Sequence, residues 1–272
     1  MPDAVGFIGA GQLGEPMVAR LLDQGHDVLV YARRDDVRDR VRNLGASLAG
    51  SVLDVAAASD VLISCLFSDA QLRELGSGPR GFIANAKTGA VFVSHTTGTL
   101  ATLTALVAGS ATAPTVLDAP VSGTTDDIAA GKLTVLIGGP AEAVERVRPV
   151  LKAYADPIVA TGALGSALDI KLINNLLFAA NAQLVAAAAQ LGQRLGVEEA
   201  NLLAALSVCS GGSNASSYAA RVGGVRHFAA MAAPFLRKDV AACLTAAESA
   251  DADLGLLGEV VQTGLLDLTG EV

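Results

Sequence analysis

The sequence lacks a basic excess. Across 272 residues, 19 Lys and Arg stand against 27 Asp and Glu, for a net charge of −8 and a pI near 4.8. A chain that holds nucleic acid by its phosphates carries the opposite balance, which argues against nucleic acid as a main partner. Cysteine is also scarce. Cys65, Cys209 and Cys243 are odd in number and far apart, so neither a disulfide framework nor a clustered zinc site is expected, and a reducing cytosol fits. The three histidines, His26, His95 and His227, are scattered, and no metal site follows from them. The first residues show no basic n-region followed by an apolar h-region, so a cytoplasmic location is expected. Charged residues make up only 17% and hydrophobic residues 51%. That is too apolar for a disordered chain and provides ample material for a core, in one large or two modest domains.

One segment imitates a membrane span. Leu172 to Gln193 carries no charge, and roughly 20 apolar residues cross a bilayer. Asn174, Asn175, Asn181, Gln183, Gln190 and Gln193 interrupt it, however, and each amide is costly in hydrocarbon without a partner. The segment reads as a buried, alanine-rich helix of a soluble protein, with no membrane partner.

The first half alternates short apolar runs with helical stretches. Val5–Ile8, Asp27–Tyr31, Val61–Leu66, Val91–Ser94, Val116–Ala119 and Leu133–Gly138 read as strands, with helices over Leu13–Gln24 and Arg34–Leu44. This pattern predicts an N-terminal Rossmann-type, doubly wound parallel sheet of the α/β class over residues 1–162. From about Leu168 onward no strand pattern remains, and Ala, Leu and Gln dominate. Residues 163–272 are therefore expected to form an all-α domain, entered by one helix from about Ser166 to Leu195 that Gly196 ends. Ser210 to Asn214 reads as a loop or helix break. No long Pro/Gly/Ser linker separates the halves.

Gly9-Ala10-Gly11-Gln12-Leu13-Gly14 follows the first strand and opens a helix. In that context the G-x-G-x-x-G spacing has a mechanism. Gly9 permits the tight turn, Gly11 lets the backbone approach a pyrophosphate, and Gly14 allows close helix–strand packing. The helix N-terminus supplies N–H groups and positive dipole. The motif alone leaves FAD open. An NAD site usually carries Asp or Glu at the end of the second strand, where this chain reads Ala32-Arg33-Arg34. A guanidinium holds a 2′-phosphate bidentately, so NADP is expected over NAD, although the pair also reads as a solvated charge cluster.

Two further segments carry chemistry. Ser122-Gly123-Thr124 follows an apolar strand and offers hydroxyls and backbone N–H groups to a carboxylate, or is an ordinary loop. Lys171 and Asn175 are spaced i, i+4 on the apolar helix and share one face. A desolvated lysine has a lowered pKa and works as an acid or base near neutral pH. A snorkelling lysine, or one paired with Asp169, is the plainer alternative.

In combination, Gly6 to Gly14, Asp118 to Gly123 with Ala130 to Leu133 behind it, Gly162 to Asn175, and Phe235 to Asp239 resemble the β-hydroxyacid dehydrogenases. That group includes 3-hydroxyisobutyrate dehydrogenase, tartronate semialdehyde reductase and, more distantly, 6-phosphogluconate dehydrogenase. The likeness runs over nearly the whole chain. It implies that Lys171 is the catalytic acid/base and that Asn175 orients the substrate. It also implies that Ser122 and Gly123 bind the substrate carboxylate and that Lys238 reaches cofactor and substrate. Arg33 and Thr96 match its cofactor contacts. Gln12 and Leu13 in the glycine turn, and Leu66 and Phe67 after the third long apolar run, are assigned to the cofactor as well. Thr124 stands where the family often has a second glycine, and it is assigned to the substrate pocket. His95, near the cleft, is unusual for the family at its position and is the next candidate acid/base after Lys171, and the chain after Ala247 is shorter than typical. The resemblance implies hydride transfer between NADP(H) and a small 3-hydroxy acid or aldehyde-acid, with no metal. Two alternatives remain: an imine reductase-like enzyme, against which Lys171 argues because such enzymes typically replace it, and a non-catalytic NADP-binding sensor. The apolar surface of the helical half predicts a homodimer.

Overall fold

The computed structural model describes residues 3–108, 110 and 113–269. Its contacts divide the chain into two units, Met1–Lys171 and Leu172–Val272. In the first unit the chain runs β1 (Val5–Ile8), α1 (Gly14–Asp23), β2 (Val28–Tyr31), α2 (Asp35–Asn43), β3 (Ser47–Leu48), α3 (Val52–Ala58), β4 (Val61–Ser64), α4 (Asp69–Gly76), β5 (Val91–Ser94) and α5 (Leu100–Val107). It continues through β6 (Thr115–Asp118), β7 (Val121–Ser122), α6 (Thr125–Ala129), β8 (Leu133–Gly138), α7 (Ala141–Leu151) and β9 (Ala155–Gly162) to the start of α8 (Ser166–Arg194).

Among the described residues the strands form one sheet in the order β3-β2-β1-β4-β5-β6-β8-β7, with β9 added on β8. The strands β1, β4 and β5 are buried at all four positions, as continuous apolar runs covered on both faces must be. One face packs Phe7, Ile63, Val93 and Leu117 against α1 and α7. The other packs Ile8, Leu62, Phe92 and Val116 against α3, α5 and Leu168 of α8. Chain order reverses between β1 and β4, so the carboxyl ends of those strands flank the crevice where open α/β sheets bind ligands.

The sheet is parallel from β3 to β6, as the strand–helix alternation predicts. Its far edge is not: β8 runs antiparallel to both β6 and β7. The cause lies in the connection. With five residues, α6 spans only about 7.5 Å, too little to run back along a six-residue strand of about 20 Å. The chain therefore folds back beside itself. Strand β9 carries no apolar run in the sequence because most of it is exposed or half-buried.

In the second unit the rest of α8 is joined by α9 (Glu199–Leu206), α10 (Asn214–Arg221), α11 (Val225–Ser249) and α12 (Gly255–Thr263), with no strand among the described residues. Leu172, Leu176, Val185, Leu203, Leu236 and Val240 centre its core, where Phe178 meets Tyr218 and Phe228 edge-on. By length and composition α8 could cross a membrane, but half of its most apolar window is buried in the protein. The amide of Gln183 is fully used there. It donates to the carbonyls of Val261 and Leu266 and accepts from the Leu266 amide, a buried polar group satisfied as it must be.

Candidate functional site

The glycine turn emerges from β1 at the reversal of strand order. Gly9 has φ +96°, and a Cβ there would lie 2.5 Å from the Cys65 carbonyl oxygen. A Cβ on Gly14 would lie 2.2 Å from the Gly9 oxygen and 3.1 Å from the Phe7 ring. Both glycines are thus demanded by the chain itself. Gly11 is not, since a Cβ there would meet no atom within 4 Å. Together with the exposed Gln12 and half-buried Leu13, it leaves open space over the start of α1, whose first turn has no side-chain cap. That is the cradle an anion at a helix N-terminus requires, so these residues fit a dinucleotide pyrophosphate.

The neighbouring strand ends complete this edge of the sheet. After β4 come Cys65, Leu66 and the exposed Phe67. Burial pushes the Cys65 thiol up to about 12, which leaves it neutral and inert. After β5 come His95 and Thr96, both buried. The Thr96 hydroxyl has no hydrogen-bond partner among the described residues, and the same holds for Ser64 and Ser94. An orphaned buried hydroxyl at the ligand-binding edge suits a cofactor contact.

Arg33 and Arg34 follow β2 and are exposed. Arg33 lies 3.4 Å from Glu74 and Arg34 3.1 Å from Asp36. Exposed pairs of this kind are worth about 0–1 kcal/mol, so both guanidiniums are cheaply re-aimed toward a phosphate.

His95 bridges two segments. Its Nδ1 lies 2.6 Å from the Ala119 carbonyl oxygen, and its Nε2 lies 2.8 Å from the Tyr154 hydroxyl. A carbonyl only accepts, so Nδ1 carries the proton and Nε2 accepts from Tyr154. Burial, partly offset by the Ala119 bond, lowers the His95 pKa to about 4. Burial, and secondarily Cys65, also holds the Tyr154 phenol well above its ordinary value. His95 is a neutral buried strut with both nitrogens engaged, which removes it as an alternative acid/base.

The Ser122–Gly123 turn is exposed, and it is fixed by the pairing of Val121 with Val135 and Ser122 with Thr134. Gly123 has φ +144°. The Thr124 hydroxyl caps α6, accepting from the Asp127 amide and donating to its carboxylate. Thr124 therefore shapes this turn through the helix end, its own amide donating to Asp127 at 2.7 Å, while Ser122 and Gly123 are exposed.

The boundary between the units falls inside α8, just after Lys171. Lys171 is half-buried in the second turn of the helix, and Asn175 follows one turn later, buried, accepting from Asn174 at 3.2 Å. Lys238 and Asp239 sit half-buried on α11 in the second unit. The first unit thus gathers the glycine turn, Leu66, Thr96 and the Ser122–Gly123 turn at the carboxyl ends of β1, β4, β5 and β6, while Asn175 and Lys238 belong to the second unit.

Sequence reasoning gave no separate role to Asp118 or Tyr154. Asp118 is completely buried at the end of β6, and its carboxylate accepts from the Gly165 and Leu168 amides, both at 2.9 Å. The signal was present: an acid closing an apolar strand demands compensation by hydrogen bonds.

Residues 4–162 match the family described as the NAD binding domain of 6-phosphogluconate dehydrogenase. Residues 165–265 match that described as the NAD-binding of NADP-dependent 3-hydroxyisobutyrate dehydrogenase. An uncharacterized oxidoreductase, YkwC, of Bacillus subtilis (strain 168) is 34% identical over 217 residues, covering 78% of this chain and 74% of that one. The 2-(hydroxymethyl)glutarate dehydrogenase of Eubacterium barkeri is 31% identical over 212 residues, covering 78% and 70%. A solved 3-hydroxyisobutyrate dehydrogenase of Mycobacterium tuberculosis with L-serine has a TM-score of 0.83 at 24% identity, covering 96% of this chain and 92% of that one. At that identity the last likeness is one of fold.

Proposed function

Because the chain belongs to the β-hydroxyacid dehydrogenase family and is an NAD(P)-dependent 3-hydroxyacid dehydrogenase, we propose that it prefers NADP(H), acts on a small 3-hydroxy acid or aldehyde-acid, and uses Lys171 as its acid/base. The observation that carries this reading is the grouping at one sheet edge. The open space over Gly11, the orphaned Thr96 hydroxyl and the Ser122–Gly123 turn lie at the strand ends, and the helix bearing Lys171 starts from β6 through Asp118.

When bound, the nicotinamide cofactor supplies the hydride donor or acceptor. Gly9, Gly11, Gln12, Leu13 and Gly14 hold its pyrophosphate on the start of α1, with Leu66 and Phe67 beside it and Thr96 donating its hydroxyl. Arg33 and Arg34 receive the 2′-phosphate that distinguishes NADP. Ser122 and Gly123 hold the substrate carboxylate, Asn175 orients the substrate hydroxyl, and Lys238 adds a positive contact to both ligands. In oxidation the neutral Lys171 amine takes the hydroxyl proton as hydride leaves the carbon. In reduction the ammonium returns it to the carbonyl oxygen.

The same reading assigns cofactor binding to residues 1–162 and substrate binding and dimerisation to residues 163–272, in a cytoplasmic homodimer. Ile173, Leu177, Leu184 and Leu191 are exposed along α8, with Leu195 exposed just after it, and apolar stripes of that length mark contact surfaces. The test is NADPH oxidation and NADP reduction across a panel that includes 3-hydroxyisobutyrate, 2-(hydroxymethyl)glutarate and their carbonyl forms. Turnover of one pair supports the reading. Tight NADPH binding with no turnover of any member would leave a sensor in its place.

A further inference from the structure

Helix α8 begins without a side chain of its own to close it. Residue 165, just before its first turn, is glycine at φ +98°. The Ser166 hydroxyl is engaged with that of Thr161 at 2.7 Å. The first amides of any helix need an acceptor and favour a negative charge. Here both come from across the sheet. Asp118 Oδ1 accepts from Gly165 and Oδ2 from Leu168, residues 47 and 50 positions later in the chain. The carboxylate is completely buried, and no cation pairs with it among the described residues. A bidentate grip fixes the rotation of a helix as well as its origin, because two amides on successive sides of the first turn must both point at one carboxyl group.

Space for this grip is reserved. Gly138, the register partner of Asp118 on β8, has no room for a side chain. A Cβ there would lie 2.5 Å from Asp118 Oδ1, 2.8 Å from the Ala163 oxygen and 2.9 Å from Ser166 Oγ. Lys171 is three residues beyond Leu168, one turn up the helix and about 4.5 Å along its axis. In the other direction Asp118 leads in four residues to Ser122, which the β7–β8 pairing holds.

We propose that Asp118 is a positioning residue of this active site: by clamping the first turn of α8 it sets the place of Lys171 relative to the Ser122–Gly123 turn. The inference rests on the reading of Lys171 as acid/base. Asp118 touches no reactant. It acts by fixing the rotation and height of the helix that carries the proton-transferring amine, and misplacement on the ångström scale costs up to about 10²-fold in rate. Asp118→Asn replaces one acceptor oxygen by an NH2 group that confronts a backbone N–H. Gly138→Ala keeps the charge and crowds the same oxygen, so it tests the clamp independently should Asp118→Asn fold poorly.

The experiment measures kcat, the solvent deuterium isotope effect on kcat and the Kd for NADPH, using 3-hydroxyisobutyrate or a better acid from the panel. Both variants are expected to lower kcat by about tenfold or more and to raise the solvent isotope effect, because proton transfer becomes slower relative to the other steps. The NADPH Kd should stay at its wild-type value. A role confined to stability would lower kcat only in proportion to the folded fraction and leave the isotope effect unchanged, and that result overturns the proposal. So does wild-type kcat in both variants. Lys171→Ala separates the two layers. If it abolishes turnover while the clamp variants behave as wild type, only the clamp is refuted; if it leaves kcat intact, the acid/base reading falls and the clamp with it.

Discussion

The two units place their buried polar groups differently. In the first, Ser64, Ser94, His95, Thr96 and Asp118 are buried at the carboxyl ends of β4, β5 and β6, with Ser59, bonded to the Val55 carbonyl, and Thr102 on α5 buried elsewhere. In the second, Asn175 and Gln183 are buried two turns apart on α8 and Ser216 on α10. Gln183 ties α8 to the segment ending at Leu266, and Ser216 completes the capping box of α10. Burial of polar groups is expensive in both units. In the second, that cost is offset by hydrogen bonds within a helix or its cap at Asn175 and Ser216, and between segments at Gln183. In the first it is concentrated at one edge, and three hydroxyls there have no partner among the described residues. Clustering with incomplete satisfaction separates a binding edge from a merely well-bonded core.

The comparison breaks most visibly in acid. His95 is neutral when folded down to about 4, whereas an ordinary histidine charges near 6.5. Below 6.5 the unfolded chain therefore holds more protons than the folded one. Stability is full above that pH, drains as pH falls toward 4 and is lost below it, by up to about 3 kcal/mol. Asp36, Asp60 and Glu145 also have lowered values, from ordinary ones of 3.8 and 4.5, so their losses begin lower. Urea midpoints between pH 6.5 and 5 isolate His95, and His95→Gln should flatten the slope there. An unchanged slope would show that the imidazole is not held neutral.

The cofactor predictions sharpen the contrast within the first unit. Changing Arg33 and Arg34 together to Ala should weaken NADPH by about 10- to 100-fold, the worth of charge-assisted hydrogen bonds of about 1.5–3 kcal/mol. NADH binding should hardly change; equal weakening of both cofactors would refute the NADP preference. Gly14→Ala places a Cβ against backbone and should destabilise the fold by about 1–3 kcal/mol. Gly11→Ala should leave the unfolding midpoint unchanged and lower only cofactor affinity. A loss of stability in Gly11→Ala would mean that the open space over α1 is filled by the protein itself.

The smallest expected effect on the fold is in the second unit. Leu184→Glu with Leu191→Glu alters exposed positions, so stability of the fold should shift within about 0.5 kcal/mol. Sedimentation should nevertheless change from dimer to monomer. A wild-type monomer at micromolar concentration would remove the proposed dimer.

The two units were also unequally legible. The strands β1, β4, β5 and β8 announce themselves as short apolar runs, and the glycine spacing after β1 has a mechanical reading that Gly9 and Gly14 bear out by their close contacts. The antiparallel edge was hidden because its direction depends on the length of α6, not on any pattern within β8. The two-residue strands β3 and β7 and the exposed β9 lack periodicity altogether. At the candidate site, residue types were readable but partnerships were not. Thr124 reads as a pocket hydroxyl and is occupied as a helix cap. His95 reads as a group near the cleft and is a buried strut. The Asp118 grip joins residues 47 and 50 positions apart, a separation that no local pattern encodes.

Lys171 carries the central claim, and one variant tests it directly: kcat and the NADPH Kd of Lys171→Ala, measured on the same preparation. A general acid–base group is worth about 10²–10⁴-fold, so kcat should fall at least that far while the Kd stays at its wild-type value. Lys171→Arg should not restore the rate, because a guanidinium stays protonated at working pH. Retention of more than about a tenth of wild-type kcat, short of the 10²-fold minimum, would mean that the proton travels by another route and would contradict the assignment.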